Sequence, residues 1–146
     1  MIAPAILDIA CGPGMQTLEL AARSVGPVTA IDLHAPYLAE TRRRAASADL
    51  SGHICVARAS MNRLPFAHGA FDALWCEGAL YIMGFERGLT AWKRLLKPGG
   101  YVAVSELVLL QELGQTPPEV LAAWLRIPTM PPSVGPWTGS TGPGSR

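Results

Sequence analysis

Two glycines near the amino terminus have the type and spacing of a nucleotide-binding turn. Gly12 and Gly14 follow a short apolar run, and a helical pattern begins at Met15. Glycines at such a place let the backbone pass close to a ligand without a Cβ in the way. The free N–H groups and positive dipole at the start of the next helix favour a carboxylate or phosphate group of that ligand.

Asp32 is the acidic partner that such a turn needs. It lies twenty residues after Gly12, at the end of the second apolar run, where a carboxylate can accept both hydroxyls of a ribose. Each feature also has a simpler explanation, since Gly12-Pro13-Gly14 could be only a tight turn and Asp32 only a helix cap. Their combination at this spacing favours a ligand site.

The residues around the turn indicate which nucleotide it binds. A nicotinamide or flavin fingerprint requires G-x-G-x-x-G, but Thr17 holds the place of the third glycine, and an alignment that starts at Ala10 lacks the first. Asp8 would repel a pyrophosphate, whereas it would suit the ammonium and sulfonium charges of S-adenosylmethionine (SAM). The electrostatics therefore favour SAM over a dinucleotide.

Strand and helix patterns alternate around these residues. Apolar runs and apolar side chains at helical spacing predict strands at 5–10, 28–31, 54–57, 71–76 and 101–105, and helices at 15–24, 36–48 and 85–96. Pro98-Gly99-Gly100 is expected to end the third helix, and Trp75 and Trp92 are expected in the core. The alternation predicts a Rossmann-like, doubly wound, mainly parallel α/β sheet of about five strands, with ligands at the carboxyl ends of the strands.

The chain of 146 residues has room for one domain. Residues 1–127 are expected to form it, with an amphipathic helix over 117–127. Residues 128–146 contain five prolines, four glycines and six serines or threonines, a composition that predicts a disordered tail.

Composition argues against several classes of function. The net charge of +1 gives no field that would attract nucleic acid or anionic lipid, and no apolar run approaches the roughly 20 residues of a membrane span. The three scattered cysteines form no CxxC pair and no metal-binding spacing with the histidines, which suits a reducing compartment. We expect a cytoplasmic protein without a metal, a nucleic-acid partner or a membrane contact, and its oligomeric state stays open.

Four short motifs, in order, resemble the class I SAM-dependent methyltransferase superfamily over roughly residues 6–106. They are ILDIACGPG at 6–14, AIDL at 30–33, LPF and FDAL within 64–74, and LLKPGG at 95–100. The stretch EGALYIMGFERGL at 77–89 is similar to a narrower bacterial and archaeal group of small-molecule-type methyltransferases. The resemblance implies methyl transfer from SAM to an unidentified, small-molecule acceptor.

The resemblance also implies roles for individual residues. Asp32 is expected to hold the ribose hydroxyls and Leu33 to pack on adenine. An aspartate that often contacts the adenine amino group in the family is replaced here by Ser60, so that Ser60 or the backbone of Met61 is expected to serve. The implied cofactor-binding residues are Asp8, Ala10 (where glycine is commoner), Cys11, Gly12, Gly14, Asp32, Leu33, Ser60, Met61 and Glu77.

Glu77 and Tyr81 are the candidates on the acceptor side. The resemblance implies that Glu77, after the fourth strand, faces SAM or the acceptor; alternatively it caps a helix or pairs with a basic side chain. Tyr81 either shapes the acceptor pocket or is a core aromatic with a solvated hydroxyl. No catalytic residue is assigned, because direct displacement at the methyl carbon needs a general base only if the acceptor must lose a proton during attack.

Two alternatives to a methyltransferase stay open. The family fold has about seven strands, usually after helices that cover the acceptor site, while this chain starts near the first strand and has no pattern for the last two. A truncated enzyme or a non-catalytic SAM-binding remnant is therefore expected as an alternative. An NAD-dependent oxidoreductase is disfavoured by the missing third glycine and by the absence of a Tyr-x-x-x-Lys pair.

Overall fold

Five parallel strands alternate with three α-helices in the computed structural model, which describes residues 3–106, 115, 117–119 and 122. The strands are β1 (Ile6–Ile9), β2 (Val28–Asp32), β3 (Ile54–Arg58), β4 (Phe71–Glu77) and β5 (Leu96–Ser105), and the helices are α1 (Met15–Arg23), α2 (Ala35–Ser47) and α3 (Phe85–Trp92). Two 3₁₀ turns, Leu80–Ile82 and Lys93–Leu95, flank α3.

The sheet has the strand order β3-β2-β1-β4-β5, and every neighbouring pair is parallel. The central strand is β1, whose Ile6 pairs with Val28 of β2 on one side and with Ala73 of β4 on the other. From β1 the chain adds β2 and then β3 on one side of the sheet. It then returns to the other side of β1 and adds β4 and β5 there. Such a reversal leaves a crevice at the carboxyl ends of the two strands where it occurs. The predicted Rossmann-like fold class is confirmed.

Side chains that alternate along the strands build a core on each face of the sheet. On one face, Leu7 and Leu74 pack into a cluster with Trp92 of α3. On the other, Val28 packs into a cluster with Leu38 of α2. Full burial of each such side chain stabilises the fold by about 1.5–3 kcal/mol, so both helical layers contribute to holding the carboxyl edge in place.

The predicted third helix, 85–96, is wrong at its end. Helix α3 stops at Trp92, the 3₁₀ turn follows, and β5 already begins at Leu96. Between the pairs Phe71–Leu96 and Ala73–Tyr101 the register shifts, so Pro98-Gly99-Gly100 forms an irregularity inside the strand. Proline is tolerated there because the pairing with β4 is irregular at this place, and Gly99 adopts a left-handed φ of +79° beside it.

The predictions for the two tryptophans and for the end of the chain have separate outcomes. Trp92 is buried as expected, whereas the expectation that Trp75 lies in the core is wrong, since its side chain is only half-buried. The helix predicted over 117–127 and the tail predicted over 128–146 lie, apart from isolated positions, outside the described residues. Among the helices of the described residues, none has the length and apolar character needed to cross a bilayer.

Trp92→Phe should destabilise the fold by about 1–3 kcal/mol, because it removes the indole N–H that donates to the Met61 carbonyl at 3.0 Å and leaves that buried oxygen unpaired. Trp75→Phe is the matched control, since the half-buried Glu77 that loses its indole partner can be solvated. Urea unfolding followed by circular dichroism gives both free energies. Equal losses for the two variants would contradict this account.

Candidate functional site

The chain that leaves β1 turns through three residues with positive φ. These are Ala10 at +59°, Gly12 at +54° and Gly14 at +84°. Left-handed backbone costs a residue with a Cβ about 1–2 kcal/mol, so Ala10 is held there by its surroundings. A Cβ at Gly12 would meet nothing within 4 Å, whereas a Cβ at Gly14 would lie 2.6 Å from Thr41 Cγ2. Gly12 therefore leaves open space beside the backbone, and Gly14 lets α2 approach the turn.

Asp32 and Thr41 hold this turn from two sides. The backbone N–H of Gly12 donates to Asp32 Oδ2 at 3.0 Å. The single hydroxyl proton of Thr41 is within reach of two carbonyl oxygens, that of Tyr37 in α2 at 2.9 Å and that of Gly12 at 3.2 Å. Asp32 Oδ1 also accepts from the N–H of His34 at 2.8 Å. His34 is itself the residue that precedes the first turn of α2, so Asp32 is not merely the cap of that helix. A carboxylate offers about four acceptor positions, which leaves capacity for a ligand.

Asp8 lies buried beneath the turn with only 2% of its surface exposed. Its Oδ2 accepts a hydrogen bond from the hydroxyl of Thr17 at 2.6 Å. Burial raises the pKa of Asp8 from 3.8 to about 6, against the lowering effect of Thr17, and the charges of Glu77 and Asp32 raise it further. Three carboxylates from three adjacent strands therefore share one edge of the sheet, which disfavours a pyrophosphate and favours a cation.

The two cysteines near the turn are protonated at neutral pH. Burial raises the pKa of both the Cys11 and the Cys76 thiols to about 12, and neighbouring carboxylates raise it further. A thiol in this state is a poor nucleophile. Cys11 can therefore contact a ligand only as a small, weakly polar side chain.

The residues expected on the adenine side follow β2 and β3. Leu33 directly follows Asp32 and exposes 55% of its surface, and its carbonyl accepts a hydrogen bond from Arg58 Nε at 2.9 Å. Ser60 Oγ accepts the N–H of Asn62 at 3.3 Å. The side chain of Met61 is in the core. The backbone at Ser60 and Met61 is thus tied to its own turn and, through the Met61 carbonyl, to Trp92 of α3.

Glu77 is the last residue of β4, on the other side of the crevice. Its Oε1 accepts the indole N–H of Trp75 at 3.0 Å, and within the described part of the chain it forms no salt bridge with a basic side chain. Tyr81, in the first 3₁₀ turn, is half-buried, and its backbone N–H donates to Glu106 Oε1 at 3.3 Å. The two candidates for the acceptor side therefore both lie past the carboxyl end of β4.

A groove of about 540 Å³ runs along the sheet beside α1. Of the predicted site residues it includes Glu77 alone. Its lining consists of Pro4, Ile6, Gln16, Glu19, Leu20, Arg23, Ser24, Trp75 and Glu77. The groove reaches the candidate site only at Glu77 and otherwise follows the strands toward their amino ends.

Sequence reasoning missed three residues that shape the site. Thr17, noted only as the place of a missing glycine, binds Asp8, and its place in the first turn of α1, three residues after Gly14, could have suggested this. Thr41 is visible only once α2 is packed on the turn. Glu106 follows β5 at the same edge of the sheet, a position that marks candidate residues in any parallel sheet.

A model of the methyltransferase domain family matches residues 6–100. The chain belongs to this family. The ubiquinone/menaquinone biosynthesis C-methyltransferase UbiE of Geotalea daltonii is 34% identical over 104 residues, which are 69% of this chain and 44% of that protein. The 27-O-demethylrifamycin SV methyltransferase of Amycolatopsis mediterranei is 27% identical over 106 residues, 72% of this chain and 39% of that protein.

Solved structures share the architecture of this methyltransferase domain. The cyclase SpnF superposes with a TM-score of 0.67 and 30% identity over 71% of this chain and 39% of that one. A geranyl diphosphate methyltransferase in complex with SAM superposes with a TM-score of 0.64 and 22% identity over 70% of this chain and 42% of that one, which supports the fold alone. The chain spans about half the length of the curated relatives it matches, or less.

Asp8→Asn should stabilise the domain by on the order of 3 kcal/mol above pH 7. Because the pKa of Asp8 is higher in the folded chain than in the unfolded chain, its contribution to stability is fully present below about pH 3.8 and is lost as the pH rises through about 6. Asparagine keeps an acceptor for Thr17 without the charge, so the advantage should vanish near pH 4. Urea unfolding at pH 4 and pH 8 measures it, with the exposed Asp49→Asn as control. The same difference at both pH values would argue against a buried, ionisable Asp8.

Gly14→Ala should destabilise the fold by more than about 2 kcal/mol, whereas Gly12→Ala should cost about 1–2 kcal/mol. Both substitutions place a Cβ at positive φ, but only the Cβ at position 14 collides with Thr41, which is itself fully buried. The urea midpoints of the two variants give the comparison directly. A Gly12→Ala variant less stable than Gly14→Ala would refute the division of roles between these glycines.

Proposed function

We propose that this methyltransferase domain binds SAM at the carboxyl ends of β1 and β2 and supports transfer of its methyl group to a small-molecule acceptor. The observation that carries the proposal is the hydrogen bond from the Gly12 N–H to Asp32. It fixes an open glycine turn and a carboxylate as one unit, and a nucleoside requires both. The proposal includes Ala10, Gly14 and Cys11 as the remaining walls of the turn.

The residues present fit this cofactor on physical grounds. A Cβ at Gly12 would stand in the open space that the turn leaves, and Asp32 has acceptor capacity for ribose hydroxyls. The exposed Leu33 offers an apolar surface to adenine. The negative edge formed by Asp8 and Glu77 suits the cationic end of SAM. A relative described as a C-methyltransferase supports the same cofactor. Solved structures of the same fold that contain SAM or S-adenosylhomocysteine also support it.

In this mechanism the chain acts mainly by alignment. The chemistry that SAM supplies when bound is a methyl group already activated for displacement. Asp32, Leu33, and Ser60 or the Met61 backbone orient the adenosine, while the carboxylates of Asp8 and Glu77 stabilise the positive charge at the other end. Holding two reactants in line is worth effective molarities of about 10⁵ M or more. Tyr81 borders the acceptor side, and no residue is required to remove a proton unless the acceptor must lose one.

Two alternatives keep cofactor binding and methyl transfer separate. The fold also carries the cyclase SpnF at 30% identity, so the same sheet can serve another chemistry. A non-catalytic SAM-binding domain is the second candidate. Incubation with radiolabelled SAM and an acceptor panel separates a methyltransferase from both alternatives, because only a methyltransferase moves the label. Membership in the methyltransferase family is evidence against an oxidoreductase.

Asp32→Ala should weaken SAM binding at least tenfold, since it removes the ribose acceptor and releases the Gly12 N–H. Isothermal titration of the wild-type chain should show binding of SAM and none of NADH. Asp72→Ala is the matched control, because its carboxylate also accepts a backbone N–H, from Ala5, but lies at the opposite edge of the sheet. Binding of NADH without SAM would refute the cofactor, and an unchanged SAM affinity in Asp32→Ala would show that the ribose site is misplaced.

A further inference from the structure

Exposed apolar side chains concentrate at the carboxyl edge of the sheet. Among the described residues, eight large apolar side chains are more than a third exposed. Five of these eight lie in the segments that follow β1, β2 and β4, which are Met15, Leu33, Tyr37, Ile82 and Phe85. Water-exposed apolar surface is unfavourable, and its concentration at the edge where parallel sheets bind ligands points to a binding role.

These five side chains fall on two sides of the crevice. Met15, Leu33 and Tyr37 follow β1 and β2 and belong to the proposed cofactor side. Ile82, 48% exposed, lies beyond the crevice in the connection from β4 to α3, and Phe85, 44% exposed, is the first residue of α3. The proposed cofactor site gives no account of these two.

The connection that carries Ile82 and leads to Phe85 is anchored by its own buried side chains. Leu80 is fully buried and Met83 is 7% exposed, and both pack into the core cluster of the α3 face. Gly88 of α3 lies directly against Leu80, where a Cβ would collide with the leucine side chain. The outward position of Ile82 and Phe85 is therefore fixed by the packing of their neighbours.

The end of β5 anchors the same connection from the side. The Gly78 N–H donates to the Ser105 carbonyl at 2.8 Å, and the Tyr81 N–H donates to Glu106 Oε1. Glu106 Oε2 is buried and accepts no hydrogen bond from the described residues, so the contact of this carboxylate with the connection is made through Oε1. Glu106 thus acts as a positioning residue for the turn that bears Tyr81 and Ile82.

We propose that Ile82 and Phe85, with Tyr81, form the apolar part of the acceptor site. The acceptor would then be a molecule with an apolar ring or chain beside the atom that receives the methyl group. This inference rests on the proposed function, since it gives the substrate class of the same site. Three side chains are too few for a stable protein interface, which needs about 800 Å² from each partner, and they suit a small molecule.

Binding of phenol and 4-pentylphenol tests the inference without knowledge of the natural acceptor. Isothermal titration first measures the affinity for S-adenosylhomocysteine, and the two phenols are then titrated into the saturated chain. We expect 4-pentylphenol to bind at least tenfold more tightly, which corresponds to burial of roughly two of its five extra carbons. Equal affinities, or no binding of either phenol, would overturn the proposal.

Variants locate the apolar contact. The double variant Ile82→Ser/Phe85→Ser should lose most of the tenfold ratio and keep the affinity for S-adenosylhomocysteine within twofold. The control Val25→Ser/Tyr101→Ser removes two side chains that are each 77% exposed and should keep the ratio. The single variants and their thermal melts confirm that folding is intact. A ratio unchanged in the double variant would place the contact elsewhere and contradict the proposal.

Two further readouts separate this proposal from its rivals. A chain that sediments as a dimer, and as a monomer after Ile82→Ser/Phe85→Ser, would show that the surface joins two copies and would overturn an acceptor role. Failure to bind S-adenosylhomocysteine would count against the proposed function alone. In that case the phenol pair titrated into the free chain still decides whether Ile82 and Phe85 bind an apolar ligand.

Discussion

The hydrogen bond between the Gly12 N–H and Asp32 joins the ends of two neighbouring strands, and the candidate site depends on it. The turn after β1 contains three residues at positive φ, a conformation that an isolated peptide would populate poorly when one of them is alanine. Asp32 accepts the Gly12 N–H, and Thr41 packs against Gly14 with its hydroxyl beside the Gly12 carbonyl, so the packing of α2 and the end of β2 together determine the shape of the turn. A ligand that binds there would meet a surface whose conformational entropy was already lost on folding.

The carboxylates at this edge destabilise the free domain by their mutual repulsion, while they favour a ligand with a positive charge. Asp8 is buried far enough for its pKa to reach about 6, and the charges of Asp32 and Glu77 act in the same direction. An ionised Asp8 is therefore unfavourable in the free domain near neutral pH. A ligand with a positive centre would relieve part of this repulsion, so that the arrangement destabilises the empty site more than the filled one. The burial of apolar side chains in the two clusters on the faces of the sheet offsets this repulsion.

Local patterns predicted the β1–α1–β2 unit well because its signals are local: an apolar run, a glycine turn and an acidic residue at fixed spacing. The boundary between α3 and β5 was missed because Pro98-Gly99-Gly100 looks like a helix terminator, and only the pairing with β4 shows it to be a strand irregularity. Likewise, the contact of Thr41 with the turn and of Glu106 with Tyr81 joins residues 29 and 25 positions apart. Such contacts are set by packing, and no local pattern encodes them.

The two sides of the crevice are anchored independently. Asp32 and Thr41 fix the turn beside β1 and β2, whereas Ser105 and Glu106 fix the connection that follows β4. Substitutions at the exposed positions of that connection can therefore accumulate without disturbing the glycine turn, whereas Leu80 and Met83 belong to the core. In evolutionary terms, one half of the domain can be inherited nearly unchanged while the other diversifies. A lineage built in this way could change the compounds it acts on through a handful of substitutions at the exposed positions between Gly78 and Phe85, with no change to the sheet.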